Sequence, residues 1–138
     1  MTKEKTAHEA KIISRNISMS WKQAVELSDF IRSKPLKIAQ DMLQKVITKE
    51  IPVPYKRYRK SIPHRKGNIA TGRYPVKAAS HFLQLLKNLE ANAEFKGLDT
   101  KNLIIIKLIS NKAGNQPHYG RKRRQMRRTH MEIHVAEK

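Results

Sequence analysis

Hydrophobic residues recur at every second position near both ends of the chain and at every third or fourth position through its middle. In KIISRNISM, Lys11 to Met19, the residues Ile13, Arg15, Ile17 and Met19 share one side of an alternation, which predicts a short strand. SWKQ follows, Ser20 to Gln23, with the form of a capping box in which the serine hydroxyl and the glutamine side chain each accept from the other's amide. A helix is expected from there, with Trp21, Val25, Ser28 and Ile31 on its apolar face and Leu27 and Phe30 widening it. It should end near Arg32 to Lys34, because Pro35 drives the residue before it out of helical angles. Pro35 suits the first turn of a second helix, where a missing amide costs nothing. That helix carries the stripe Leu36, Ala39, Met42, Leu43, Val46 and Ile47, and Pro52 and Pro54 stop it. A third and longest stripe runs from Pro75 through Val76, Ala79, Phe82, Leu83, Leu86, Leu89 and Ala93 to a terminating Gly97.

Two strands complete the pattern. Leu103 to Ile109 is β-branched and nearly continuous, as expected of a strand covered by helices. Met131, Ile133 and Val135 alternate with Glu132 and His134, so the second strand is apolar on one face only. The two are expected to be antiparallel neighbours. The fold class is therefore α+β: three helices packed on a small antiparallel sheet. With 138 residues the chain has material for one core, so residues 1–138 are read as a single domain. Two segments do not fit a compact body. Ile51 to Pro75 is rich in proline, glycine and cations and reads as a long surface loop. Between the last two strands, only Tyr119 and Met126 are large and apolar. Structureless loops of that length are uncommon unless they act, so residues 110–130 are read as an extended basic β-hairpin arm.

Charge sharpens this division. Thirty lysines and arginines oppose eleven acids, for a formal net charge of +19, well beyond what solubility requires of a small domain. No acid occurs from Ile51 to Leu89 or from Thr100 to Met131, and each window holds nine cations. A solvated helix face mixes both signs, as Lys87 to Asp99 does; these windows do not. Unpaired lysines and arginines suit phosphate oxygens. Tyrosines are interleaved with them: Tyr55 and Tyr58 bracket Lys56 and Arg57, Tyr74 follows Arg73, and Tyr119 precedes the arginine run. Such spacing favours irregular RNA, on whose bases rings stack, and it serves loop anchoring equally well.

Other chemistries are weaker. There is no cysteine, hence no disulfide, thiol nucleophile or zinc ribbon. The apolar run Leu103 to Ile109 is broken by Lys107 and too short to span a bilayer. MTKEKTAHEAK has no signal core. His130 and His134 lack further ligands of matching character, His81 reads as a packing histidine, and Glu26 with Asp29 or Glu90 with Glu94 shows ordinary surface-helix spacing. Arg121 to Arg124 also matches the loose pattern of a nuclear-import signal. Neither an enzyme, a metal, a cofactor nor a membrane surface is indicated. On charge alone, a free-standing basic RNA- or DNA-binding protein stands as an alternative to a component of a larger ribonucleoprotein.

Several strings together carry a family resemblance: ISMSWKQA at the first helix, VPYKRY in the loop, GRYPVKAA and ANAEFKGLD at the two ends of the long helix, and GRKRRQMRRTHMEIHV closing the chain. Across nearly its whole length the chain resembles the large-subunit ribosomal protein family numbered twenty-two in bacteria and archaea and seventeen in eukaryotes. The extended loop before GRYP is similar to the archaeal and eukaryotic branch. The resemblance implies a cytoplasmic structural protein of the large subunit whose body sits near the peptide exit tunnel opening and whose hairpin lines the tunnel wall. Its implied partners are large-subunit rRNA, neighbouring large-subunit proteins and the nascent peptide, with no homo-oligomer. Lys56, Arg57, Arg59, Lys60, Arg65, Lys66 and Arg73 of the loop, and Lys112, Arg121, Lys122, Arg123, Arg124, Arg127 and Arg128 of the arm, are the implied rRNA contacts. Gly114, Asn115, Gln116, Pro117 and His118 are the implied tunnel-facing tip.

Overall fold

A computed structural model describes residues 9–137; the N-terminal residues read as lacking a signal core lie largely outside that range. The elements run β1 (Glu9–Ile17), α1 (Trp21–Ile31), α2 (Leu36–Ile47), β2 (Val53–Pro54), β3 (Gly72–Arg73), α3 (Val76–Phe95), β4 (Leu103–Lys112), β5 (Gln116–Pro117), β6 (Gln125–Met126) and β7 (Thr129–Glu137). β7 is the central strand of a three-stranded antiparallel sheet ordered β1-β7-β4. The α+β expectation and the pairing of the last two long strands are borne out.

All three helices contribute to one core over one face of the sheet. α1 packs on β4, α3 on β1, and α2 on α3. Met131, Ile133 and Val135 of β7 face that core together with Leu103, Ile105 and Leu108 of β4, while Phe82, Leu86 and Leu89 cover them from α3. A bulge between Ile105 and Lys107 lets β4 keep both Ile105 and Leu108 inward and leaves Ile106 half exposed. The outer edge of β4 is covered at one point by the connection between α1 and α2: Ser33 N–H donates to Ile105 O (3.1 Å) and Ile105 N–H to Lys34 O (3.1 Å), which blunts part of an otherwise open edge.

The helix ends differ from expectation in informative ways. α1 starts at Trp21, but Ser20 makes no side-chain capping bond; its hydroxyl instead accepts from Arg127 Nη1 at 3.4 Å. The buried positions of α1 are Ala24, Glu26, Leu27, Ser28 and Ile31, so its inner face is rotated from the expected stripe, and Trp21, Val25 and Phe30 are not among them. Pro35 lies just before α2 in extended geometry, its carbonyl accepting from Ala39 N–H (3.0 Å). Gly97 ends α3 as expected, at φ 74° with bonds from Gly97 N–H to Glu94 O and from Leu98 N–H to Ala93 O, the pairing of a left-handed helix stop. α2 ends the same way with Lys49, at φ 64°, in the position glycine prefers.

β1 corrects the expected side. Ala10 and Ile12 face the core, and Ile13 is 53% exposed. An extra residue between Ser14 and Ile17, with Asn16 at φ 57°, then switches the alternation and brings Ile17 inward. The buried Thr129 hydroxyl donates to Met19 O (3.0 Å), which ties the chain after the bulge to the start of β7.

Candidate nucleic-acid interface

The loop between α2 and α3 is built, not merely draped over the surface. β2 and β3 pair antiparallel, Val53 and Tyr55 are buried, and Tyr55 N–H donates to Thr71 O (3.0 Å) while Thr71 Oγ1 donates to Tyr55 O (2.8 Å). The principal staple comes from α1. Glu26, read as a surface acid, is 1% exposed, and its carboxylate accepts three backbone amides: Lys56 (3.0 Å), Arg57 (3.0 Å) and Tyr58 (2.6 Å). Three amides on one carboxylate lock the turn that carries Lys56, Arg57, Arg59 and Lys60. A second clamp lies further along, where Arg65 Nε donates to Gly72 O (3.1 Å) and the guanidinium covers the Tyr74 ring at 5.2 Å. Lys56, Arg57, Arg59, Lys60, Arg65, Lys66 and Arg73 are all exposed.

The tyrosines differ in how far they anchor the loop. Tyr55 is a core anchor whose phenol is pushed up to about 12, first by burial, with Arg73 opposing and Glu26 adding to the rise. Tyr58 stands edge-on to Trp21, ring centroids 5.1 Å apart, with Lys22 and Arg57 each 5.5 Å from its ring. Tyr119 is 98% exposed and touches no core.

Beyond the sheet the hairpin continues. Ala113 N–H donates to Arg128 O (3.0 Å), Gln116 pairs with Met126 and Pro117 with Gln125, and His118 N–H donates to Arg124 O (2.7 Å). The chain therefore reverses at Tyr119 to Arg123, where Gly120 has φ 118°, Arg123 has φ 41°, and Arg123 N–H donates to Gly120 O (3.1 Å). Gly114, Asn115, Gln116, Pro117 and His118 thus lie along the outgoing strand, and the expected tip moves to the YGRKR turn. The physical reason is that a proline without an amide is tolerated on a two-stranded ribbon, whereas the reversal needs the positive φ that glycine supplies. Among the described residues, none of the cations from Arg121 to Arg128 meets a carboxylate. Arg128 is half-buried, bonded to Gln116 Oε1 (2.9 Å) and Asn16 O (3.3 Å), so it shapes the root of the arm. Lys112 is exposed beside it.

Folding brings the two acid-free windows together. A cleft of about 290 Å³ at the start of α1 is lined by Lys22, Arg57, Lys60, Arg73 and Arg127, with Tyr55 and Tyr58, and no acidic side chain lines it. Arg59 and Lys56 belong to a neighbouring hollow with His64 and Asn68, and Arg121 to Arg124 stay out on the turn. Nothing local in the sequence marks Lys22, which sits singly on its helix, and Glu26 has the spacing of a surface acid because its amide partners lie in a distant loop. On the outer sheet face His134 Nε2 and Glu132 Oε1 are 2.7 Å apart, and His130 Nδ1 accepts from Asn16 N–H (3.2 Å). The His134 bond, foremost, holds the Glu132 carboxyl below its usual range. No three metal-binding side chains gather among the described residues, and no described helix is long and apolar enough to cross a membrane.

Residues 12–136 match the family model described as ribosomal protein L22p/L17e. The chain belongs to that family. Similar proteins include the large ribosomal subunit protein uL22 of Ignicoccus hospitalis, 44% identical over 97% of this chain and 89% of that protein. The uL22 proteins of Nanoarchaeum equitans (41%, over 93% of this chain and 78% of that one) and Thermoplasma acidophilum (47%, over 75% and 68%) are also similar. The ribosomal protein L22p/L17e family is one of large-subunit structural proteins and not of enzymes, and the chain is accordingly a cytoplasmic component of the large ribosomal subunit, of archaeal type.

Proposed function

We propose that this chain binds large-subunit rRNA through its basic loop and arm, with the body near the exit tunnel opening and the arm running inward to form part of the tunnel wall. In that position it supports subunit assembly and translation, beside other large-subunit proteins. The observation that carries the reading is the arm itself. Cross-strand bonds join its two sides at Ala113, at Gln116 and Pro117, and at His118, the side chains of Tyr119 to Gln125 are exposed, and its cations find no carboxylate among the described residues. Isolated two-stranded ribbons are marginal in water, and concentrated positive charge weakens this one further. RNA phosphates on both sides supply the missing counter-charge. The YGRKR turn, as the farthest point, is then the part nearest the lumen and the passing nascent peptide.

The test is a photoreactive phenylalanine derivative in place of Tyr119 in translating ribosomes. Crosslinks to large-subunit rRNA and to the nascent chain are expected. A protein that joins the particle but crosslinks at this position only to outer-surface proteins would overturn the assignment of the arm to the tunnel.

A further inference from the structure

We propose that the cleft at the root of the arm is a seat for one phosphate of an RNA backbone, and that filling it fixes the arm against the body. The proposal rests on the RNA-binding reading and gives it a specific anchor.

Three features converge there. The first is the start of α1: the amides of Trp21, Lys22 and Gln23 have no intrahelical acceptor, Ser20 makes no capping bond, and the first turn has no acid. A helix start so left open favours an anion. The second is the ring of Lys22, Arg57, Lys60, Arg73 and Arg127 around the same cleft, drawn from a helix, the loop and the arm, with no acid among the lining residues. The third is Tyr55, in the wall between this cleft and the neighbouring hollow, whose Oη is buried and makes no hydrogen bond. A buried hydroxyl without a partner is costly, and a neutral phenol is a ready donor to a phosphate oxygen.

The geometry also explains how the arm is held. In the free protein its root is tied by Arg127 Nη1 to Ser20 Oγ at 3.4 Å and Arg128 Nη1 to Asn16 O at 3.3 Å, both long for such bonds. A phosphate between Arg127 and Arg73 replaces the first tie with charge-assisted bonds to both windows at once. RNA is favoured over an acidic peptide because cations from the same loop and the arm continue away from the cleft in two directions, as a repeating chain of phosphates requires.

Trp21, the single tryptophan of the chain, stands edge-on to Tyr58, which lines the cleft, so its emission reports the site. The full chain is titrated with inorganic phosphate, a short unstructured RNA oligonucleotide and polyglutamate. A saturable change is expected with phosphate and, at much lower concentration, with RNA. Arg73→Gln with Arg127→Gln should raise the RNA midpoint about tenfold or more, and Tyr55→Phe about fivefold, as loss of charged and neutral hydrogen bonds dictates. Arg121→Gln with Arg124→Gln should weaken total RNA binding while leaving the phosphate response of Trp21 in place. RNA binding without a Trp21 response, or cleft variants that titrate like the parent chain, would overturn the cleft and spare the RNA-binding reading. A tighter Trp21 response to polyglutamate than to RNA would overturn the choice of ligand. Absence of RNA binding by any measure would remove the broader reading itself.

Discussion

Replacing Glu26 with glutamine tests how the body presents its basic loop. The carboxylate accepts Arg57 and Tyr58 amides on Oε1 and the Lys56 amide on Oε2, inside a residue that is 1% exposed. Glutamine keeps one carbonyl oxygen for two of these amides but turns an NH2 group toward the third, donor against donor. Bonds to the remaining oxygen also lose their charge assistance. A charged hydrogen bond contributes roughly 1.5–3 kcal/mol and an unmet buried group costs about 1–3 kcal/mol. Because Lys56 and Arg57 are exposed, water relieves part of this, and a total loss of about 2–3 kcal/mol is expected. Urea unfolding at neutral pH reads the loss as a lower midpoint with unchanged slope, and amide exchange should accelerate first at Lys56, Arg57 and Tyr58. Glu26→Asp, one methylene shorter, should also destabilise, since it cannot reach all three amides. A change under about 0.5 kcal/mol in Glu26→Gln, within the range of ordinary surface substitutions, would refute the claim that this carboxylate holds the loop.

Other outcomes follow from the same geometry. Tyr55→Phe should hold or raise stability at neutral pH by about 0–1 kcal/mol, because the hydroxyl it removes is buried and unbonded. Above pH 10 the parent chain should lose stability relative to that variant up to about pH 12, since the unfolded tyrosine ionises near 10.0 while the folded one stays neutral to about 12; parallel pH profiles would contradict this. Lys49→Gly should stabilise by about 0.5–1 kcal/mol, seen as a higher thermal midpoint, because Lys49 ends α2 at φ 64°. Exchanging residues 114–127 for an Asn-Gly turn removes five cations from a chain of net charge +19 and only a half-buried Met126 from contact. The body should then unfold cooperatively within about 1 kcal/mol of the parent, and loss of the transition would count against separating arm from body. In the intact free protein, amides of residues 116–126 should exchange fast and those of β7 slowly.

Elements with an uninterrupted period were legible from the chain alone. The α2 and α3 stripes, the Gly97 stop, and the alternation of Met131, Ile133 and Val135 all appear where the residues place them. What the sequence hid was non-local. The inward turn of Ile17 depends on a bulge whose extra residue is defined only against β7. Ser20 has the letters of a cap, yet its hydroxyl faces Arg127, 107 positions away. Glu26 has the spacing of a surface acid because its three amide partners lie about thirty residues on. The turn of the arm departs from the position that the family resemblance implied, because cross-strand pairing through Gln116 and Pro117 carries the ribbon past Gly114 to Gly120. Charge segregation marked both basic windows in advance, and the contribution of Lys22 to their junction required the fold.

Where the arm lies is decided by a cryo-EM map of the translating large subunit from the source organism. Density for residues 114–126 is expected as a two-stranded ribbon enclosed by rRNA, with Tyr119 to Arg123 at the tunnel lumen. An arm lying on the subunit exterior, or one without rRNA within contact distance of Arg121, Arg124 and Arg127, would contradict the assignment.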